Sequence, residues 1–194
     1  MKQKLLFLSI LILLFGSGLR SWGQTNPSVQ SLPYSQNFSS LTGVSPAFPA
    51  GWQGWTISGS LSTSFPTTAP NGDQAISVVT NTSTSAHVGD FIGKLGVMST
   101  GNTMRSICLA INTTGLTSIS VSFTAATQRT ENTRQNELGL QYRIGSTGTF
   151  TNVSGSTYQN QMTPTNTTGT GAVKVETITC TLPAACNNQS TIQL

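Results

Sequence analysis

The clearest pattern in this chain is the alternation of apolar and polar residues between Ser118 and Ile144. Ile119, Val121 and Phe123 alternate with serines, and a second run from Leu138 to Ile144 repeats the pattern after a polar loop. Alternation with a period of two residues is typical of β-strands that are buried on one face. The stretch therefore predicts a long hairpin or a Greek-key pair, with its apolar faces in a core.

Further strand-like segments occur along the whole chain, separated by loops rich in Thr, Asn, Gly and Pro. They are Leu32–Ser40, Trp52–Ile57, Gln74–Thr80, Asp90–Val97, Met104–Asn112, Phe150–Val153, Ala172–Leu182 and Ser190–Leu194, with Ser154–Gly171 as a long loop. This spacing predicts an all-β, antiparallel β-sandwich of about nine strands. Within it, Phe123 and Leu140 are expected to be buried.

The first 23 residues have the three regions of a secretory signal peptide. Lys2 and Lys4 supply the basic start, Leu5–Phe15 is a short apolar run, and small residues lead to Gly23. The run is shorter than the ~20 residues that span a bilayer. We therefore expect cleavage between Gly23 and Gln24, a secreted or cell-surface location and no membrane span afterwards. Residues 24–31 are then a polar leader and residues 32–194 the sandwich domain.

Removal of the signal peptide changes the charge of the chain. Three of the nine basic residues leave with it, so six basic residues face five acidic ones, a net charge of +1. Such a balance gives no electrostatic reason to expect a nucleic acid partner. Charged residues make up only 7% of the chain, and uncharged polar residues take their place on the predicted strand faces.

Three cysteines, Cys108, Cys180 and Cys186, leave at least one thiol unpaired within an exported chain. Cys180 and Cys186 flank a predicted turn, so a small-loop disulfide between them is one interpretation. The alternative is that all three are small buried apolar residues.

Several segments together resemble a known family. They are LPYSQNF, FPAGWQGW, RSICLAIN, ISVSFTAATQRTENTRQNELGLQYRIG and ETITCTLPAACNNQSTIQL. These look like a jelly-roll module, related to cleaved-adhesin and MAM-like domains, at the N-terminus of exported Bacteroidetes-type proteins of the type IX secretion system. The resemblance covers roughly residues 32–194.

The resemblance implies a jelly-roll-like fold and a non-catalytic role in adhesion, carbohydrate contact or spacing. The alternative is an accessory domain of a larger exported hydrolase or nuclease. In the family the last motif continues into further strands, so we expect a C-terminally truncated sandwich of marginal stability. Ile192 and Leu194 would then lack neighbours. A surface glycan or an extracellular protein is the expected partner.

A catalytic serine triad is one hypothesis for His87, the only histidine, with Asp73 or Asp90 as its acid. No nucleophile motif supports it, and His87 in a Thr/Ser turn is interpreted as a solvated surface residue. Asp73 and Asp90 are also the only aspartates available to calcium, whose site would need more ligands. We therefore expect no metal, no cofactor and no enzymatic activity.

Acidic and basic residues cluster around the polar loop of the central pair. Glu131 and Glu137 could form a glycosidase pair, but with Arg129, Arg134 and Arg143 close in sequence we interpret the group as ion pairs on a solvated loop.

Two tryptophans, Trp52 and Trp55, could offer a stacking platform for sugar rings. Their spacing predicts different faces of one strand, with Trp52 in the core and Trp55 partly exposed. The candidate ligand-contact residues are Trp55 and, from the polar loop, Arg129 and Arg134.

Overall fold

The computed structural model describes residues 24–59, 64–80, 82–127, 136–160 and 174–194. These residues form β-strands, turns and one short 3₁₀ helix, Ala184–Cys186. The strands are β1 (Gln30–Ser31), β2 (Trp52–Ile57), β3 (Gly72–Asp73), β4 (Ile76–Val78), β5 (His87–Asp90), β6 (Leu95–Met98), β7 (Met104–Asn112), β8 (Ser120–Ala126), β9 (Glu137–Ile144), β10 (Thr151–Gln159), β11 (Val175–Thr181) and β12 (Ile192–Gln193).

The strands form one large sheet and two small ones. The main sheet has the order β10-β9-β12-β7-β2-β3, and β1 runs parallel to the end of β7. Strands β8 and β11 pair antiparallel along seven residues each. The third sheet has the order β4-β5-β6. The all-β antiparallel sandwich predicted from the sequence is confirmed.

The core of the sandwich lies between the main sheet and the β8–β11 pair. Its buried members come from both layers: Ile111, Ile119, Val153, Leu182, Cys186 and Ile192. Serine and threonine side chains on the opposite face of β8 and β11 are exposed and hydrogen-bond across the two strands, Ser122 to Thr179 at 3.0 Å. The predicted faces of β8 are therefore confirmed, because its apolar residues turn to the core.

The predicted pairing of the two central strands is wrong. Strand β8 pairs with β11, whereas β9 pairs with β10 and β12 in the main sheet. Alternation shows which face of a strand is apolar, but it does not show which strands pair. Two strands that face one core from opposite sheets have the same alternation as two strands that are neighbours in one sheet. Phe123 and Leu140, predicted to be buried, are both partly buried and pack against the core clusters.

Strand β9 departs from its predicted faces at its end. Ile144 is 46% exposed, and Arg143, assigned to a solvated loop, is 3% exposed. Arg143 is buried because the outer face of β9 is covered as well. Phe65 lies against Gly139, where a Cβ atom would come within 2.5 Å of its ring. The Gln141 amide donates to the Pro66 carbonyl at 3.0 Å.

Most predicted strands occur, with changed limits. Strand β7 has the predicted bounds, while Leu32–Ser40 contains no strand in the structure. The predicted 154–171 loop begins with strand, because β10 continues to Gln159 through a register shift. Asp90–Val97, predicted to be one interrupted strand, is instead the turn and flanking residues of the β5–β6 hairpin.

The last strand, β12, lies inside the main sheet. Ile192 is paired with Ile111 of β7 on one side and with Ile144 of β9 on the other. Both residues of β12 are fully buried. The expectation that Ile192 lacks neighbours is therefore wrong.

Residues 24–31, predicted to be a polar leader, lie against the outer face of the main sheet. We call this segment the N-terminal strap. Its Gln30 and Ser31 form β1, and Pro27 is buried. The Trp55 indole donates a hydrogen bond to the Thr25 carbonyl at 3.1 Å, which links the strap to β2.

Candidate functional site

An open depression of about 330 Å³ lies beside the edge of the main sheet. Strand β2 contributes Gln53, and the loop before β2 contributes Phe48. Strands β3 and β4 contribute Asp73 and Ile76. Pro46, Ala47 and Ala75 complete the lining. An apolar wall with a few polar groups is the usual composition of a small-ligand site.

The aromatic part of this wall is positioned by a glycine. A Cβ atom on Gly54 would lie 2.7 Å from the Phe48 ring and 2.5 Å from the Gln74 carbonyl oxygen. The Phe48 ring therefore lies directly over the backbone of Gly54. The absence of a side chain at Gly54 thus makes room for the ring, and both Phe48 and Gln53 are partly exposed.

Beside Gln53, the polar part of the wall includes the Asp73 carboxylate. Its Oδ1 accepts a hydrogen bond from the Thr25 backbone N–H at 2.7 Å, and its Oδ2 accepts from the Thr25 hydroxyl. A carboxylate has about four acceptor sites, so Asp73 can also accept from the hydroxyl groups of a ligand. Its side chain is exposed beside the depression.

A buried arginine, Arg143, lies under the strap. The Arg143 guanidinium is 5.2 Å from the Trp55 ring centre and 4.6 Å from that of Phe150. Its Nε donates to Gln193 Oε1 at 2.7 Å and its Nη1 to the Gly148 carbonyl at 3.0 Å. Burial lowers the pKa of Arg143 below its ordinary value.

The structure reverses the predicted roles of the two tryptophans. Trp55 is 1% exposed and lies buried on the outer face of the main sheet, whereas Trp52 is partly exposed. The Trp52 indole donates to the Tyr34 hydroxyl at 2.8 Å, and its ring meets Phe38 edge-on. Trp55 cannot act as a surface stacking platform, because the strap and Phe150 cover it.

His87 is buried, not a solvated surface residue as the sequence suggested. Its Nδ1 is 2.7 Å from the Ser85 carbonyl oxygen, so Nδ1 carries the proton and donates it. Burial lowers the pKa of His87, and the nearby Arg105 charge lowers it further. The Phe91 ring lies beside that of His87, with 6.0 Å between the two ring centres.

The hypothetical serine triad is not assembled. Asp90 is fully buried, and its carboxylate accepts the backbone N–H groups of Gly43 at 2.8 Å and Ile92 at 2.7 Å. These bonds fix a loop, and the His87 ring is held by a backbone carbonyl. Among the described residues, no three His, Cys, Asp or Glu side chains are grouped as a metal site would need.

The remaining candidates are three residues of the polar loop, Glu137 and the three cysteines. Arg129, Arg134 and Glu131 lie outside the described residues. Glu137 is exposed and accepts from the Gln159 amide at 2.9 Å. The cysteines Cys108, Cys180 and Cys186 are free thiols in this structure, and burial raises the pKa of each.

The depression was missed by sequence reasoning. Phe48 and Gln53 were not singled out, and Asp73 was considered only as a triad or calcium residue. The sole local signal was the loop from Pro46 to Gly51 before Trp52, because the aromatic residue of this loop, Phe48, needs a surface to pack on.

Comparison with known proteins gives no match: no family model, no curated protein and no solved structure is similar to this chain. The described residues include no helix with the length and apolar character required to traverse a bilayer.

Proposed function

We propose that this chain is a non-catalytic module of a secreted or cell-surface protein that contacts carbohydrate through the depression. The observation that carries the proposal is the combination of Phe48 and Ile76 with Gln53 and Asp73 around one open surface. A sugar ring has an apolar face and hydroxyl edges, which suit an aromatic wall beside amide and carboxylate groups.

The proposed role is binding and not hydrolysis of the sugar. Glycosidases commonly use two carboxyl groups on either side of the scissile bond. Among the described residues that line the depression, Asp73 is the one carboxylate. It can therefore orient a hydroxyl group, but the lining supplies no second carboxyl group as acid or nucleophile.

A glycan array with the purified full chain tests the proposal. We expect binding to a defined sugar class, and calorimetry with that sugar should show a loss of at least about tenfold in affinity, or ~1.4 kcal/mol, on Phe48→Ala or Gln53→Ala. Ser122→Ala, on the exposed face of β8, is the matched control. Retained affinity in both depression variants would refute the proposed site.

The absence of catalysis is tested separately with sugar, peptide and nucleic acid substrates, each with and without calcium. We expect no turnover above the buffer rate. Turnover that is lost on His87→Ala or Glu137→Gln would show that the chain is an enzyme.

A further inference from the structure

Arg143 is a buried cation whose hydrogen bonds go to uncharged groups. It is 3% exposed, and within the described part of the chain its Nη2 has no hydrogen-bond partner. Burying a charge is costly unless an opposite charge or full hydrogen bonding compensates it. The Trp55 and Phe150 rings compensate only part, since a cation–π contact contributes about 0.5–2 kcal/mol.

Three hydrogen-bond donors belong to the outer face of the main sheet, around the Arg143 side chain. The Trp55 indole donates to the backbone carbonyl of Thr25, and the Gln193 amide donates to Asn26 Oδ1 at 2.9 Å. The third donor is Arg143 Nη2. Two residues of the N-terminal strap therefore supply oxygen acceptors to the first two donors, and the strap supplies none to the third.

The strap is held mainly by polar contacts. Thr25 bonds to Asp73, the Gln24 amide donates to the Ser146 carbonyl at 3.1 Å, and Gln30 and Ser31 run parallel to β7. Of its apolar residues, Pro27 is buried while Val29 is 42% exposed. Another extended peptide could form the same backbone and side-chain hydrogen bonds on this face.

We propose that the surface under the strap is a binding site for an extended acidic peptide, which the strap occupies within its own chain. A polypeptide is the indicated partner because the strap supplies a backbone carbonyl and an added parallel strand. An acidic side chain is indicated by charge complementarity. A carboxylate at the position of Asn26 can accept from Gln193 and bring the missing negative charge to Arg143, whose fork suits a carboxylate.

Calorimetry with two synthetic peptides and no sugar tests this site, whose donors Trp55, Arg143 and Gln193 are not among the residues that line the depression. The probes are the strap sequence QTNPSVQS and the same peptide with Asn26→Asp. The protein is the full chain with Thr25→Ala, which removes one bond between its own strap and Asp73. We expect the acidic peptide to bind at least about tenfold more tightly than the neutral one.

Arg143 variants provide the control for charge. Arg143→Lys keeps the charge without the planar fork and should reduce the preference, and Arg143→Gln should abolish it. Because Arg143→Gln could unfold the protein, Asn26→Asp within the full chain gives an independent measurement, with an expected rise in the urea midpoint. Equal affinity for the two peptides, no binding of either, or an unchanged midpoint would overturn the proposal. Tighter binding of oligogalacturonate than of the acidic peptide would also overturn it.

Discussion

At the scale of single residues, the sequence pattern predicted the burial of some side chains and not of others. The serines of β8 face solvent as predicted, because one face of that strand is exposed. Trp55 and Arg143 were misjudged since both faces of the main sheet are covered. A period of two residues cannot distinguish a solvated face from a face covered by loops. The arginine was assigned to solvent for its charge, yet two aromatic rings and an amide surround it.

His87 makes a pH dependence of stability testable at the same scale. Its pKa in the fold lies below the ordinary value of 6.5, chiefly through burial. The unfolded chain therefore takes up a proton first as the pH falls, so the contribution of neutral His87 is complete above about pH 6.5 and is lost below it.

Urea unfolding between about pH 7.5 and pH 5 measures this effect. We expect the free energy of unfolding to fall more steeply for the wild type than for His87→Gln, whose amide can still donate to Ser85. Parallel curves for the two proteins would exclude His87 as the cause.

At the scale of elements, the existence of strands was more predictable than their partners. Strand β7 was predicted with its observed bounds, because its apolar run lies between the turn signals at Gly101 and Gly115. Pairing was not predictable, since β8 and β9 contribute apolar residues to one core from different sheets. The short strands β1, β3 and β12 have two residues each, which is too few for a pattern.

The central position of β12 predicts a large effect of truncating Ile192. The side chain is fully buried between β7 and β9, so Ile192→Ala should cost about 2–5 kcal/mol of unfolding free energy. Val175→Ala, at a residue that is 63% exposed, is the control and should cost less than about 0.5 kcal/mol. Denaturant unfolding that gives equal costs would contradict the central placement of β12.

Because the outer face of β9 is covered, a single added methyl group there should lower the free energy of unfolding. Gly139→Ala would place Cβ within 2.5 Å of the Phe65 ring, and overpacking of this kind costs about 1–3 kcal/mol. Gly101→Ala, where nothing lies within 4 Å, is the matched control. If both variants unfold at the same temperature, Phe65 does not pack there in solution.

The whole molecule combines a predicted sandwich with a cover that was not predicted. One face of the main sheet packs on β8 and β11, while the N-terminal strap, residues 65–67 and Phe150 lie over the other. These segments are short, and their apolar residues are isolated in sequence, so no periodicity reveals them. The depression formed by Phe48, Gln53, Asp73 and Ile76 likewise depends on contacts between distant segments.

Mapping a bound sugar by NMR tests carbohydrate contact most directly. The isotope-labelled full chain would be titrated with the best sugar from the array, and backbone amide shifts followed residue by residue. We expect the largest changes at Phe48, Gln53, Asp73 and Ile76, with smaller ones at the exposed serines of β8. Changes centred on the β8–β11 face, or no saturable change at millimolar sugar, would contradict carbohydrate binding in the depression.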